Sequence, residues 1–127
     1  MKLANSGAED NTVVGNFAGD AITSADGNVI VGHHAGGAIT TGNQNIIIGV
    51  SAAPSLTTGG TNFIIGSNCD VNGSAADQQI VIGYNQTAVG NNHFSFGSEN
   101  TNRVYNEFTS NASWTRSSDE RLKKDIS

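Results

Sequence analysis

Short apolar triplets recur along the chain, each with a polar residue before it and a glycine after it. The phrase occurs six times, at Asn11–Gly15, Asn28–Gly32, Asn45–Gly49, Asn62–Gly66, Gln79–Gly83 and His93–Gly97. The first five glycines are 17 residues apart, and the last step shortens to 14. Self-similarity at a fixed short period is the signature of stacked repeats. The pattern therefore predicts a solenoid in which each copy forms one rung.

A weaker apolar segment follows the triplet in the first three repeats, at Ala21–Thr23, Ala38–Thr40 and Ser55–Thr57. Each repeat is therefore predicted to consist of a strand, a turn, a second strand and a polar turn. A repeat of 17 residues cannot hold a βαβ crossover, which needs about 30 residues. If equivalent strands of successive repeats stack on one another, they pair as parallel ladders. The fold class predicted is an all-β parallel solenoid with two strands in each rung.

Two columns of equivalent positions are expected to hold the stack together. The glycine after each strand is predicted to adopt positive φ or to lie where two backbones approach closely. The amide at the start of each strand can bond to its equivalent one rung away. The glycines are Gly15, Gly32, Gly49, Gly66 and Gly83, and the asparagines are Asn11, Asn28, Asn45 and Asn62.

The triplets are apolar on both sides. The first and third residues of a strand triplet share one face and the second points the other way, yet Val29 and Val31 flank Ile30. Strands of this kind are typical of sheets buried on both faces. Leaving five or six such side chains exposed would cost roughly 1.5–3 kcal/mol each. We therefore expect an obligate oligomer, with its core at Ile30, Ile47, Ile64 and Val81.

Composition and charge exclude several partners. The net charge is −5, and no Lys or Arg occurs between Lys2 and Arg103. A surface without cations cannot replace phosphate counterions, so nucleic-acid binding is not expected. Docking on an anionic membrane is not expected for the same reason, and no apolar stretch approaches the ~18 residues of a membrane span. Cys69 is the only cysteine, so no disulfide forms within the chain.

The repeat pattern divides the chain into four segments. Residues 1–10 carry no period and are predicted to cap the first rung. Residues 11–97 are the solenoid, and residues 98–117 are predicted to form a short β tail that intertwines with other copies. Residues 118–127 are charged and rich in helix formers, with Ser118 as a plausible N-cap.

The repeat resembles the Asn-Ser-Val-Ala-Ile-Gly phrase in the heads of trimeric autotransporter adhesins and also looks like fibre proteins of tailed bacteriophages. The resemblance covers residues 11–97, and the repeats here are longer than the usual adhesin repeat. It implies a left-handed β-roll and a homotrimer. For a phage protein it implies a place in the tail fibre, spike or tip of the virion, with assembly in the host cytoplasm. The implied partners are further copies, other tail proteins and a host-surface glycan or protein.

The last ten residues carry a second resemblance. The pattern Ser-Asp-x-Arg-x-Lys-x-x-Ile from Ser118 to Ile126 resembles the start of the self-cleaving intramolecular chaperone domain of phage tail spikes and endosialidases. That resemblance implies Ser118 as nucleophile and Lys123 as its base. Nine residues follow Ser118 in this sequence, so we expect an inert remnant and no enzyme activity, and self-cleavage at Ser118 would require a longer chaperone domain.

Three further expectations concern function. A bacterial trimeric adhesin head and a fragment of an autoproteolytic precursor remain alternatives to the virion protein. No cofactor is expected, and the adjacent His33 and His34 are interpreted as a surface pair with no metal site. A glycan platform would use exposed aromatic side chains such as Phe17, Tyr84 or Trp114.

Overall fold

The computed structural model describes residues 7–109. This part of the chain is all β and contains no helix. Its strands are β1 (Thr12–Val14), β2 (Val29–Val31), β3 (Ile46–Ile48), β4 (Phe63–Ile65), β5 (Ile80–Tyr84), β6 (His93–Ser98) and β7 (Asn102–Glu107). They form one sheet in chain order. The predicted parallel β-solenoid is confirmed, with about five turns spaced 17 residues apart.

The repeat phrase sets the register of the stack. β1 to β6 pair in parallel, and the middle residue of each triplet lies opposite the middle residue of the next, as Ile30 does with Ile47. The shortened last step keeps this alignment, since Gly83 pairs with Gly97. β7 then runs antiparallel to β6. The parallel stack therefore ends where the sequence period ends.

Each rung contains one strand, so the prediction of a second strand in the segment after each triplet is wrong. The segments after the triplets do stack between rungs, since Thr23 N–H donates to Thr40 O at 2.9 Å and Thr40 N–H donates to Thr57 O at 2.9 Å. A tight turn precedes this contact, because Ile39 N–H donates back to Gly36 O at 3.1 Å. The turn leaves too few extended residues for a strand.

The interior of the coil is filled by equivalent residues from successive rungs. One column holds the middle residues of the triplets, and a second holds Ala18, Ala35, Ala52 and Cys69, all fully buried. Ile39 and Leu56, from the segments that follow the triplets, are also fully buried in this core. Small side chains alternate with large ones across this narrow space, so a single chain packs its own core.

The four residues predicted to form an oligomer core are buried within a single chain. Ile30, Ile47, Ile64 and Val81 are each 0% exposed within one chain, so they belong to the interior of the coil. The residues on either side of them point outward and are half-buried or exposed. The sequence showed two apolar faces but could not tell which of them turned inward. A second copy packed on the sheet would contact the flanking positions.

Candidate functional site

The outward face of the parallel sheet is a continuous strip, apolar at every position except Thr12, and is here called the outer sheet face. It consists of the first and third triplet residues of β1 to β6: Thr12, Val14, Val29, Val31, Ile46, Ile48, Phe63, Ile65, Ile80, Ile82, Phe94 and Phe96. Val14 is 56% exposed and Ile48 is 36% exposed. Six strands spaced about 4.8 Å apart make the strip roughly 25 Å long. It carries no charged residue, and extended apolar surfaces of this kind commonly mark contacts with other molecules.

The strip continues to the end of the sheet. The rings of Phe94 and Phe96 lie 5.4 Å apart on β6, and Val104 of β7 pairs with Phe96. Val104 is half exposed. The antiparallel strand therefore extends the apolar surface without covering it.

The asparagine column forms a buried ladder at the start of the strands. Asn45 Nδ2 donates to Asn28 Oδ1 at 3.0 Å and to Gly59 O at 3.1 Å. Asn45 Oδ1 accepts from the backbone N–H of Asn62 at 3.0 Å and from its Nδ2 at 2.9 Å. The predicted bonding between rungs is confirmed at Asn11, Asn28, Asn45 and Asn62. The column is therefore structural, and its amides are not available to a ligand.

The glycine column is structural as well. Gly49 has φ of 141°, and a Cβ built there would lie 2.6 Å from the carbonyl carbon of Gly66. Gly32 repeats this geometry against Gly49. The sequence predicted either positive φ or close backbone approach at these glycines, and both occur together. This corner of the coil admits no side chain.

A second column of positive φ lies two residues after these glycines, at Phe17, His34, Ser51, Asn68 and Asn85. Asn tolerates this left-handed conformation, whereas it is unusual for Phe. The rings of Phe17 and His34 stack at 4.9 Å with 13° between their planes, and His33 meets His34 edge-on at 4.3 Å. We call Phe17, His33 and His34 the aromatic corner. All three side chains are exposed.

A shallow pocket adjoins the aromatic corner. Its volume is about 260 Å³, and it is lined by Phe17, Asp20, His34, Gly37, Ala38, Ser51 and Pro54. The lining combines two aromatic rings with a carboxylate and a hydroxyl. None of these residues belongs to the outer sheet face. The outer sheet face and this pocket are therefore separate surfaces of the part of the chain that the structure describes.

Cys69 has a structural position in the alanine column, and desolvation by burial raises the pKa of its thiol. A raised pKa disfavours the reactive thiolate. We expect the folded protein to react with a thiol reagent slower by orders of magnitude than the unfolded chain. Time courses with and without denaturant measure this, and equal rates would contradict it.

The same shift predicts a pH dependence. The folded state holds the thiol proton more tightly than the unfolded state does. The contribution of this thiol to the free energy of unfolding is therefore fully present below the ordinary thiol pKa of about 8.5, and it decreases as pH rises above that value. Cys69→Ala, which introduces the residue found at Ala18, Ala35 and Ala52, should lack this part of the alkaline loss. Unfolding curves of both proteins between pH 7 and about 10 test it. Parallel losses in the two proteins would show that the thiol contributes nothing.

The remaining predicted site residues have different outcomes. Ser118, Lys123 and Trp114 lie outside the described residues, so the self-cleavage pair remains a prediction. Tyr84 is exposed, as a surface aromatic should be. Across residues 7–109, no three His, Cys, Asp or Glu side chains come together as metal ligands would. That same stretch holds no helix suited to crossing a membrane.

The aromatic corner could have been suspected from the sequence only after the rungs were aligned. Phe17 then falls in register with Asn68 and Asn85, which are typical of tight turns.

Comparison with protein-family models, with curated proteins and with solved structures finds no match to this chain. Its function is therefore inferred from the two open surfaces.

Proposed function

We propose that the protein is a structural component of a bacteriophage virion, placed in a tail fibre, spike or tip. In this proposal three copies form a homotrimer of left-handed rolls that pack along their outer sheet faces. The turns of each coil then face outward, toward the host surface. The resemblance of residues 11–97 to adhesin heads and phage fibres supports the trimer and the virion.

The observation that carries the proposal is the outer sheet face, which no other segment of residues 7–109 covers. Its strands have a buried middle residue and outward apolar neighbours, as in the half-buried Val29 and Val31 around Ile30. An apolar side chain gains roughly 1.5–3 kcal/mol when it is fully buried. Packing against further copies would cover the whole strip at once. Repetition of one contact along identical rungs would also suit an elongated fibre.

A charge placed on the strip should break the trimer. Ile48→Lys would bring three ammonium groups together near the axis, where desolvation and like-charge repulsion cost several kcal/mol. We expect this variant to be monomeric at micromolar concentration while keeping its β circular dichroism. Light scattering after size exclusion measures the mass.

Thr58→Lys is the matched control, because Thr58 is exposed and lies outside the outer sheet face. It adds the same charge and should leave the mass unchanged. An Ile48→Lys protein with the mass of the unmodified protein would overturn the proposed interface.

The virion assignment needs its own test. Antibodies raised against the purified protein should label one place on the tail of tailed phage particles whose genomes encode this chain. Electron microscopy with gold-conjugated antibody shows the position. Labelling of bacterial cell surfaces in the absence of particles would instead favour the adhesin.

A further inference from the structure

We propose that the aromatic corner and its pocket form a binding site for a neutral carbohydrate. This inference deepens the host contact of the proposed function and rests on that proposal for its biological setting. The physical argument begins with the two rings. Phe17 and His34 stack on each other across neighbouring rungs, yet Phe17 remains 50% exposed.

The solenoid itself does not need aromatic rings at these positions. Later rungs place Ser51, Asn68 and Asn85 in the same column with the same positive φ. The stack continues through those rungs with unchanged strand register. The positive φ is thus a property of every rung, whereas rings fill this column only in the first two rungs. The Phe17 side chain is exposed and contributes nothing to the core.

The pocket supplies the chemistry that a sugar ring requires. Ligand sites combine apolar or aromatic walls with a few polar groups that fix orientation. Here Phe17 offers an apolar ring, and Asp20 and Ser51 line the same pocket. A carboxylate accepts hydrogen bonds from hydroxyl groups, and a serine hydroxyl both donates and accepts. A pyranose ring presents an apolar C–H face together with a rim of hydroxyls, which suits this lining.

Charge narrows the class of sugar. No Lys or Arg occurs from residue 3 to residue 102, and Asp20 lines the pocket. A carboxylated or sulfated sugar would meet no Lys or Arg side chain among the lining residues and would be repelled by this carboxylate. The pocket volume of about 260 Å³ accommodates one sugar ring at a time. We therefore assign a neutral hexose or N-acetylhexosamine unit.

The site is compatible with the proposed trimer. The pocket lining includes Asp20, Gly37 and Pro54, which belong to the turns that follow the strands. The outer sheet face contains none of the lining residues. Copies packed along the strip would therefore leave their own pockets on the turns, and three sites on one fibre would strengthen a weak contact through avidity.

The test uses the full chain and four probes: methyl glycosides of glucose, galactose, mannose and N-acetylglucosamine. Ligand-observed saturation-transfer NMR should show contact with at least one of them, with affinity on the order of 1 mM for a shallow site. Phe17→Asn should weaken that binding about tenfold by removing the ring. The substitution introduces the residue already found at Asn68 and Asn85, so it should not impair folding. Asp20→Asn should also weaken binding, because it removes the carboxylate.

Tyr84→Ser is the matched control. It removes another exposed ring and introduces the residue that occupies the equivalent position at Ser67, so sugar binding should be unchanged. Absence of transfer to all four glycosides would overturn the site. Saturation transfer to a glycoside that is as strong with the Phe17→Asn variant as with the unmodified protein would also overturn it. The same holds if saturation is transferred to N-acetylphenylalanine amide and to none of the sugars.

Light scattering on the same sample separates this inference from the proposed function. A trimer that binds none of the four glycosides would overturn the sugar site and leave the fibre interface standing. A monomer that binds a glycoside through Phe17 would support the site and overturn the trimer.

Discussion

Gly49→Ala is expected to lower the free energy of unfolding by about 3–5 kcal/mol. Two costs combine at this position. The backbone has φ of 141°, where an L side chain is strained. The added Cβ would also lie 2.6 Å from the carbonyl carbon and 2.7 Å from the oxygen of Gly66. These are backbone atoms of the next rung, so relief requires the rungs to separate.

Gly73→Ala is the control for this experiment. A Cβ at Gly73 would meet nothing within 4 Å, and this glycine does not adopt positive φ. We expect a change within about 0.5 kcal/mol. Chemical denaturation followed by circular dichroism measures both variants. Equal stability of the two alanine variants would show that the glycine column does not limit the approach of neighbouring rungs.

Asn45→Leu should cost about 3–6 kcal/mol, because it keeps the side-chain size but removes the centre of the amide ladder. The backbone N–H and one Nδ2 proton of Asn62 would lose their acceptor. Gly59 O would lose its donor. Buried groups left without partners cost about 1–3 kcal/mol each, and hydrophobic transfer of the leucine recovers only part of this loss.

Asn16→Ala provides the comparison, since Asn16 is exposed and lies outside the ladder. Its loss should stay within about 0.5 kcal/mol. Denaturation midpoints and slopes of both variants give the two free energies. A leucine variant as stable as the unmodified protein would mean that the ladder contributes no net stability.

The sequence was informative where one physical requirement recurs in every rung. Glycine after each strand and asparagine before it marked the corners of the coil, and their 17-residue spacing predicted the parallel register. The glycines allow positive φ and close approach of two backbones, and the asparagines form hydrogen bonds with buried backbone groups. Few other residue types can do either. The fold class and the structural columns were therefore predictable without coordinates.

The direction of the triplets was not predictable, and the reason is physical. A strand with one wet face alternates apolar and polar residues, whereas Val29, Ile30 and Val31 are apolar throughout. Such a triplet contains no signal for which side turns inward. The assignment of Ile30 to an oligomer core was therefore wrong, although the inference of a second apolar face was correct.

The return path and the pocket were beyond the reach of periodicity. Ala38–Thr40 has the composition of a strand, but the preceding turn from Gly36 to Ile39 uses up the extended residues. The pocket depends on residues from three rungs, including Asp20, His34 and Ser51. Their proximity follows from stacking and from positive φ at the corner, and no local pattern in the chain encodes it.

The molar mass of the unmodified protein in solution tests the central claim most directly. That claim is that the outer sheet face is covered by further copies of the same chain. Size exclusion with light scattering at micromolar concentration should give three times the chain mass of 13.1 kDa. A single species of 13.1 kDa, stable and soluble with Ile48 and its neighbours open to water, would contradict it.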